Sequence, residues 1–233
     1  MQQLNPTYDK KCECRVCKQR FTTKKLRSRF VKAADYDSDF CPNYSDERIN
    51  PLLYHIHTCP HCGYSESDDF SPYFPPGAID LIYSKVVNAW IPQDYSQDRS
   101  IIVAVNTYKL ALYCGTLKRE KHITLAGLHV RLAWLFRRIK NADQEQRFLK
   151  LALKEYLESY ISDDFKGSTI SETRIFYLIG ELSRRTQQSE QAVKYFSKVI
   201  ELQSRSTEPK LIEMARERWY EMRQKQKQKT AAN

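Results

Sequence analysis

Glycine is scarce in this sequence, with six in 233 residues. β-Sandwiches and doubly wound α/β folds spend glycine in their turns, so both are disfavoured. Long apolar runs are missing as well. No stretch of about 18 apolar residues occurs, which argues against a membrane-spanning helix. The polar start MQQLNPTYDKK lacks the apolar core of a secretory signal. There is no Gly-rich phosphate loop, no nucleophile elbow and no zinc-protease helix. The adjacent acids Asp68 and Asp69 would suit an enzyme site between the two halves of the chain, but such pairs on a loop are ordinarily solvated. The expectation is a cytoplasmic binding protein without a membrane partner, rather than an enzyme.

Acidic residues are scarce in one place, and this shapes the charge pattern. From Lys10 to Lys32 there are ten Lys/Arg and one acid, Glu13. From Ala33 to Tyr95 the balance reverses, with two Lys/Arg and ten Asp/Glu. From Ser96 to the end there are 26 Lys/Arg and 16 Asp/Glu, so the overall excess lies on this part of the chain. A basic surface favours acidic partners, nucleic acid among them, although Lys/Arg-rich helix faces are routine on globular proteins.

Seven cysteines are present, and four fall in two tight pairs: Cys14-Arg-Val-Cys17 and Cys59-Pro-His-Cys62-Gly63. A Cys-x-x-Cys knuckle aims two thiolates at one ion. Two knuckles supply four sulfurs at about 2.3 Å in a closed tetrahedron, the arrangement of structural Zn²⁺. Gly63 suits a turn in which backbone N–H groups face sulfur. The rival reading of CPHC is a redox pair, which needs a βαβ setting absent here. A four-cysteine iron–sulfur run is also absent. Cys41 is either a substitute ligand or a small buried hydrophobe. Cys12 stands too near Cys14 to share its knuckle, and Cys114 reads as helix core. His55 and His57 alternate on a candidate strand, and His61 lies inside the second knuckle facing solvent. Asp35, Asp37 and Asp39 imitate a calcium loop, but Phe40 and Asp46 stand where that loop needs Gly and Glu.

The expected organisation is a zinc-knuckle head over 1–70, a proline-rich connector over 71–77, a helical repeat-like domain over 78–226 and a flexible basic tail over 227–233. In the head, alternation predicts a strand carrying Leu26, Ser28 and Phe30 on one face and Arg27, Arg29 and Lys32 on or near the other, with a second strand over Leu52–His57. Helical spacing predicts helices over 79–90, 98–117, 123–139, 144–160, 171–185, 189–203 and 209–226. Short polar breaks between them imply stacked antiparallel hairpins. Gly180, Ala192 and Phe196 fall where a tetratricopeptide repeat places its small residues and its aromatic. A weaker echo precedes it, in which Arg137 and Arg138 mirror Arg184 and Arg185. The fold class is therefore mainly α: a small zinc-ribbon-like β head followed by tetratricopeptide-like stacked hairpins.

The segments YDKKCECRVCKQRFTTKKLRSRF, DSDFCPNY and NPLLYHIHTCPHCGYSESDDF resemble the N-terminal signature of a family of bacterial proteins catalogued as domain of unknown function 2225. The resemblance implies a bacterial, cytoplasmic protein with knuckles at Cys14, Cys17, Cys59 and Cys62 and a tetratricopeptide-like C-terminal region. It brings no activity. Two partner classes follow from the residues: a protein or peptide on the helical region, or nucleic acid on the strand carrying Lys24, Lys25, Arg27, Arg29 and Lys32, with Phe21 and Phe30 interleaved.

Overall fold

Three short hairpins build the head. The computed structural model describes residues 4–231. Strands β1 (Thr7–Glu13) and β2 (Arg20–Leu26) pair antiparallel across the first cysteine knuckle. β3 (Ala33–Tyr36) pairs with β4 (Pro42–Tyr44), with an irregularity between Ala33 and Asp35. β5 (Ile56–Thr58) pairs with β6 (Ser65–Ser67) across the second knuckle.

Two strand expectations are corrected. β2 stops at Leu26, which pairs with Thr7 at the start of β1; with no partner beyond, Ser28–Phe30 coils into a 3-10 turn. Ser28 and Phe30 therefore do not extend a strand face. Over the second candidate, Pro51–Tyr54 forms a 3-10 helix, because the Asn50 side chain accepts a hydrogen bond from Leu52 N–H at 3.0 Å and Pro51 fixes the first turn. Only Ile56–Thr58 is strand, and His55 is the residue that ends the turn.

Seven α-helices follow among the described residues: α1 (Ala78–Lys85), α2 (Ile101–Lys118), α3 (His122–Arg138), α4 (Ala142–Ser162), α5 (Glu172–Arg185), α6 (Ser189–Glu201) and α7 (Pro209–Ala231). Ser100, Asn141 and Ser171 cap α2, α4 and α5 through side-chain oxygens. Arg119 and Asp163 turn the chain out of α2 and α4 in left-handed conformations. From α2 onward, each helix packs on the next in chain order. The expected tail, 227–233, falls partly on α7, whose backbone runs to Ala231, and otherwise on 232–233, outside the described residues. The small residue at Gly180 has its expected consequence: a Cβ there would lie 2.9 Å from the Phe196 ring, so α5 and α6 approach closely only because it is absent.

Head and helices share a core. Leu26, Cys41, Leu52 and Ile56 of the head pack in the same buried cluster as Tyr108, Leu132, Leu149 and Ile175 of the helices. The proline-rich connector, Ser71–Gly77, is pinned rather than loose. The ammonium of Lys118, at the end of α2, is buried, donates to the Ser71 carbonyl and pairs with buried Glu120, whose other carboxylate oxygen accepts from Ser71 N–H at 3.1 Å. The Phe74 ring lies 4.5 Å from the same ammonium.

A second tether joins the β3–β4 turn to the far helices. Asp39 is fully buried, and its carboxylate takes Arg137 at 2.6 Å and the Trp134 indole N–H at 3.1 Å. Asp37 takes Arg137 at 2.9 Å and Arg185 at 2.7 Å. Ser38 donates to buried Glu181 at 2.6 Å, and Glu181 also pairs with Arg184 and Arg185. The duplicated arginines thus end α3 and α5, where the helix dipole favours cations, and grip the head from both.

Candidate metal centre

The two knuckles have the same backbone course. In the first, Lys18 N–H bonds the Cys14 carbonyl at 3.0 Å, and Cys14 N–H bonds the Gln19 carbonyl at 2.9 Å. In the second, Gly63 N–H bonds the Cys59 carbonyl at 2.9 Å, and Cys59 N–H bonds the Tyr64 carbonyl at 2.9 Å. The residue after each pair is left-handed, Lys18 at φ +62° and Gly63 at φ +74°. Only the second knuckle uses the residue type that adopts this conformation freely.

These turns bring four sulfurs together. Cys14 Sγ lies 3.5 Å from Cys62 Sγ, and Cys17 Sγ lies 3.7 Å from Cys59 Sγ. The four ligand atoms all fall within 4.8 Å of one another. A tetrahedron with metal–sulfur bonds of about 2.3 Å has edges of about 3.8 Å, so the donor set fits one thiolate-preferring ion. The spacing is far beyond a disulfide bond of about 2.0 Å. Hydrogen bonds from the Cys14 and Cys62 thiols, with backbone N–H groups of His61 and Cys62 adding to them, pull Cys59 down to about 4. Cys62 is pushed strongly up, because its proton is the one shared with Cys14 and Cys59.

The cluster is closed. Cys14, Cys59 and Cys62 are buried and Cys17 is half-buried. Val16, Tyr64, Ile82, Val86 and Cys114 complete an apolar shell drawn from the knuckle, α1 and α2. Trp90 lies over the second knuckle, its indole N–H donating to the Pro60 carbonyl at 2.8 Å. Arg15, inside the first knuckle, donates to the Phe70 and Ser71 carbonyls and so ties the site to the connector.

The other sequence candidates lie elsewhere. Cys41 is buried outside the cluster, and burial pushes its thiol up to about 11. Cys114 is buried in the apolar shell of the sulfur cluster, its own sulfur accepting from Ser65 N–H at 3.4 Å. His61 is exposed. Asp68 takes Lys10 at 2.8 Å and Lys25 at 3.0 Å, and Lys24 pairs with Asp9 at 2.8 Å. Arg27 lies over the Tyr8 ring, while Arg29 and Lys32 are exposed.

One constellation was not read from the sequence. Cys12 Sγ stands 3.8 Å from His57 Nδ1, and His57 Nε2 stands 3.5 Å from Asp68. It has the order of a nucleophilic triad but not its activation, since burial raises the Cys12 thiol instead of lowering it. No sequence signal announced it, because Cys12 and His57 lie on strands of two separate hairpins.

The model of a family described as an uncharacterized protein conserved in bacteria, domain of unknown function 2225, matches residues 7–222. No curated protein and no solved structure matches the chain.

Proposed function

The chain belongs to this conserved bacterial family, and from that premise we propose that it is a zinc-stapled helical scaffold that holds a protein or peptide partner. The observation that carries this reading is the cluster of four sulfurs, within 4.8 Å of one another, at Cys14, Cys17, Cys59 and Cys62. Four thiolates fill the coordination of Zn²⁺ and leave no position for water or substrate, so the ion's role is architectural. It would lock two hairpins against α1 and α2 and so fix one end of the helical array. The close approach of α5 and α6 at Gly180 supports a tetratricopeptide-like unit over 176–204, a scaffold type that presents extended surfaces to partners.

Photo-crosslinkers placed singly along the exposed faces of α2 to α7, in the full chain, test the partner. Protein adducts concentrated on one face and surviving nuclease treatment are the expected result. Adducts that vanish with nuclease, or none from any face, contradict it.

The nucleic-acid reading has less behind it. Of the five basic residues on which it rests, Lys24 and Lys25 are occupied by Asp9 and Asp68. Arg29 and Lys32 alone are fully exposed. Oligonucleotide binding that weakens steeply with salt, and that Arg29→Ala and Lys32→Ala reduce, would restore it.

A further inference from the structure

A cleft of about 430 Å³ lies between the start of the connector, the N-terminal half of α3 and the loop between α4 and α5. It is separate from the sulfur cluster. Asp69 and Ser71 stand on one side, Thr124 and Arg131 on α3, and Ser168 on the far loop. Three features mark it as more than a gap in the packing.

The first is Arg131. Its guanidinium donates only to the carbonyl of Gly127, at 2.9 Å, and no carboxylate among the described residues pairs with it. Arg137, Arg174, Arg184 and Arg185 each take an acid, and buried Arg99, which takes none, fills its fork with the Tyr95, Leu53 and Ile56 carbonyls and the Thr23 hydroxyl. A guanidinium in a concave site with its fork unfilled is a receptor for a planar oxyanion.

The second is Gly127, an interior helix position at which glycine costs about 1 kcal/mol against alanine. A Cβ there would lie 2.8 Å from Arg131 Nη1. The missing side chain is what allows the guanidinium to lie back along α3 into the cleft.

The third is Tyr156. The residue is 4% exposed and lines the cleft, and its hydroxyl is open to the cleft, unlike the sealed and unpaired hydroxyl of Tyr108. Glu120, by contrast, is already satisfied by Lys118 and Ser71.

We propose that this cleft binds a small molecule through a single carboxylate or phosphate group, with the Arg131 fork as the anion receptor and the Tyr156 hydroxyl as a second donor. Lys121 at the rim adds positive charge. Asp69, with its carboxylate more than half exposed at the mouth, disfavours densely charged polyanions such as a nucleic-acid backbone.

The test is an NMR titration of the full chain, following the arginine Nε–Hε resonances, with acetate and inorganic phosphate as separate probes. Saturable movement of the Arg131 resonance with one or both, in the millimolar range, is expected, and the stronger probe identifies the class. Arg131→Gln should weaken binding at least about tenfold, a loss on the scale of one charge-assisted pair. Tyr156→Phe should weaken it several-fold. Gly127→Ala should keep the fold, since only the mobile end of Arg131 must move, and still lose binding. Thermal unfolding of each variant separates lost binding from lost structure. No saturable movement with either probe, or a folded Arg131→Gln or Gly127→Ala that binds as wild type does, overturns the proposal.

Discussion

Lys18 and Gly63 occupy the same position in two knuckles of the same course, and they make opposite predictions. Lys18 holds a left-handed φ of +62° without being glycine. Lys18→Gly should therefore stabilise the chain, by about 1 kcal/mol in chemical denaturation, because an L-residue in that region carries a steric cost of about that size. Gly63→Ala should destabilise by more than about 2 kcal/mol, since a Cβ would meet the Trp90 ring at 2.3 Å in addition to the strained backbone. Buried histidines weaken the fold on the acid side, alongside the paired carboxylates Asp37 and Asp68. Burial, joined at His55 by the Arg131 charge, pulls His55 down to about 3, and burial pulls His129 to about 4, from an ordinary 6.5. Both are neutral in the folded chain and bind a proton more readily when unfolded. Their contribution is complete above pH 6.5 and is lost as pH falls from 6.5 through about 4 for His129 and about 3 for His55. Urea midpoints should fall over that window, and His129→Gln should flatten the fall; an unchanged slope in that variant would contradict the assignment. At this scale the four knuckle cysteines were legible, because ligand spacing is local in sequence. The Cys12–His57–Asp68 chain was not, because it depends on which hairpins lie side by side.

The helices were legible to within a few residues at most ends, because polar caps and apolar spacing agree along 98–226. The strands were less so. Alternation continues past Leu26 in the sequence, but a strand needs a partner and β1 begins at Thr7. Asn50-Pro51 announced the turn at 51–54, and the apolar run after it obscured that signal. The mirrored arginines were read as a repeat echo. Their structural consequence, a shared hold on the Asp37–Asp39 turn, spans 100 residues of chain from Arg137 and 148 from Arg185 and left no local trace. That tether carries a prediction for the β3–β4 element. Arg137→Met leaves Asp39 buried without its closest cation and should cost about 3–5 kcal/mol. Adding Asp39→Asn should return part of that loss, since the stranded charge is then gone. A double variant as unstable as the sum of the two singles would mean the two residues do not act together.

The connector was read as a boundary from its prolines, and as sequence it looks like one. In the folded molecule Lys118, Glu120 and Arg15 hold it down, and head and helices both contribute to each of two buried clusters. No helix among the described residues is long and apolar enough to cross a membrane. Unfolding should therefore be one cooperative transition rather than a head melting apart from its helices, with tryptophan fluorescence and far-UV circular dichroism giving the same midpoint. Displaced midpoints would indicate two independent units. The sulfur cluster sits where head, α1 and α2 meet, so an ion there acts on the whole molecule. Elemental analysis of the purified protein and of Cys59→Ser tests this most directly. One zinc per chain is predicted for the wild type, lost in the variant together with a fall in the common unfolding midpoint. A protein that holds no metal, with Cys59 and Cys62 recovered as a disulfide, would contradict the account.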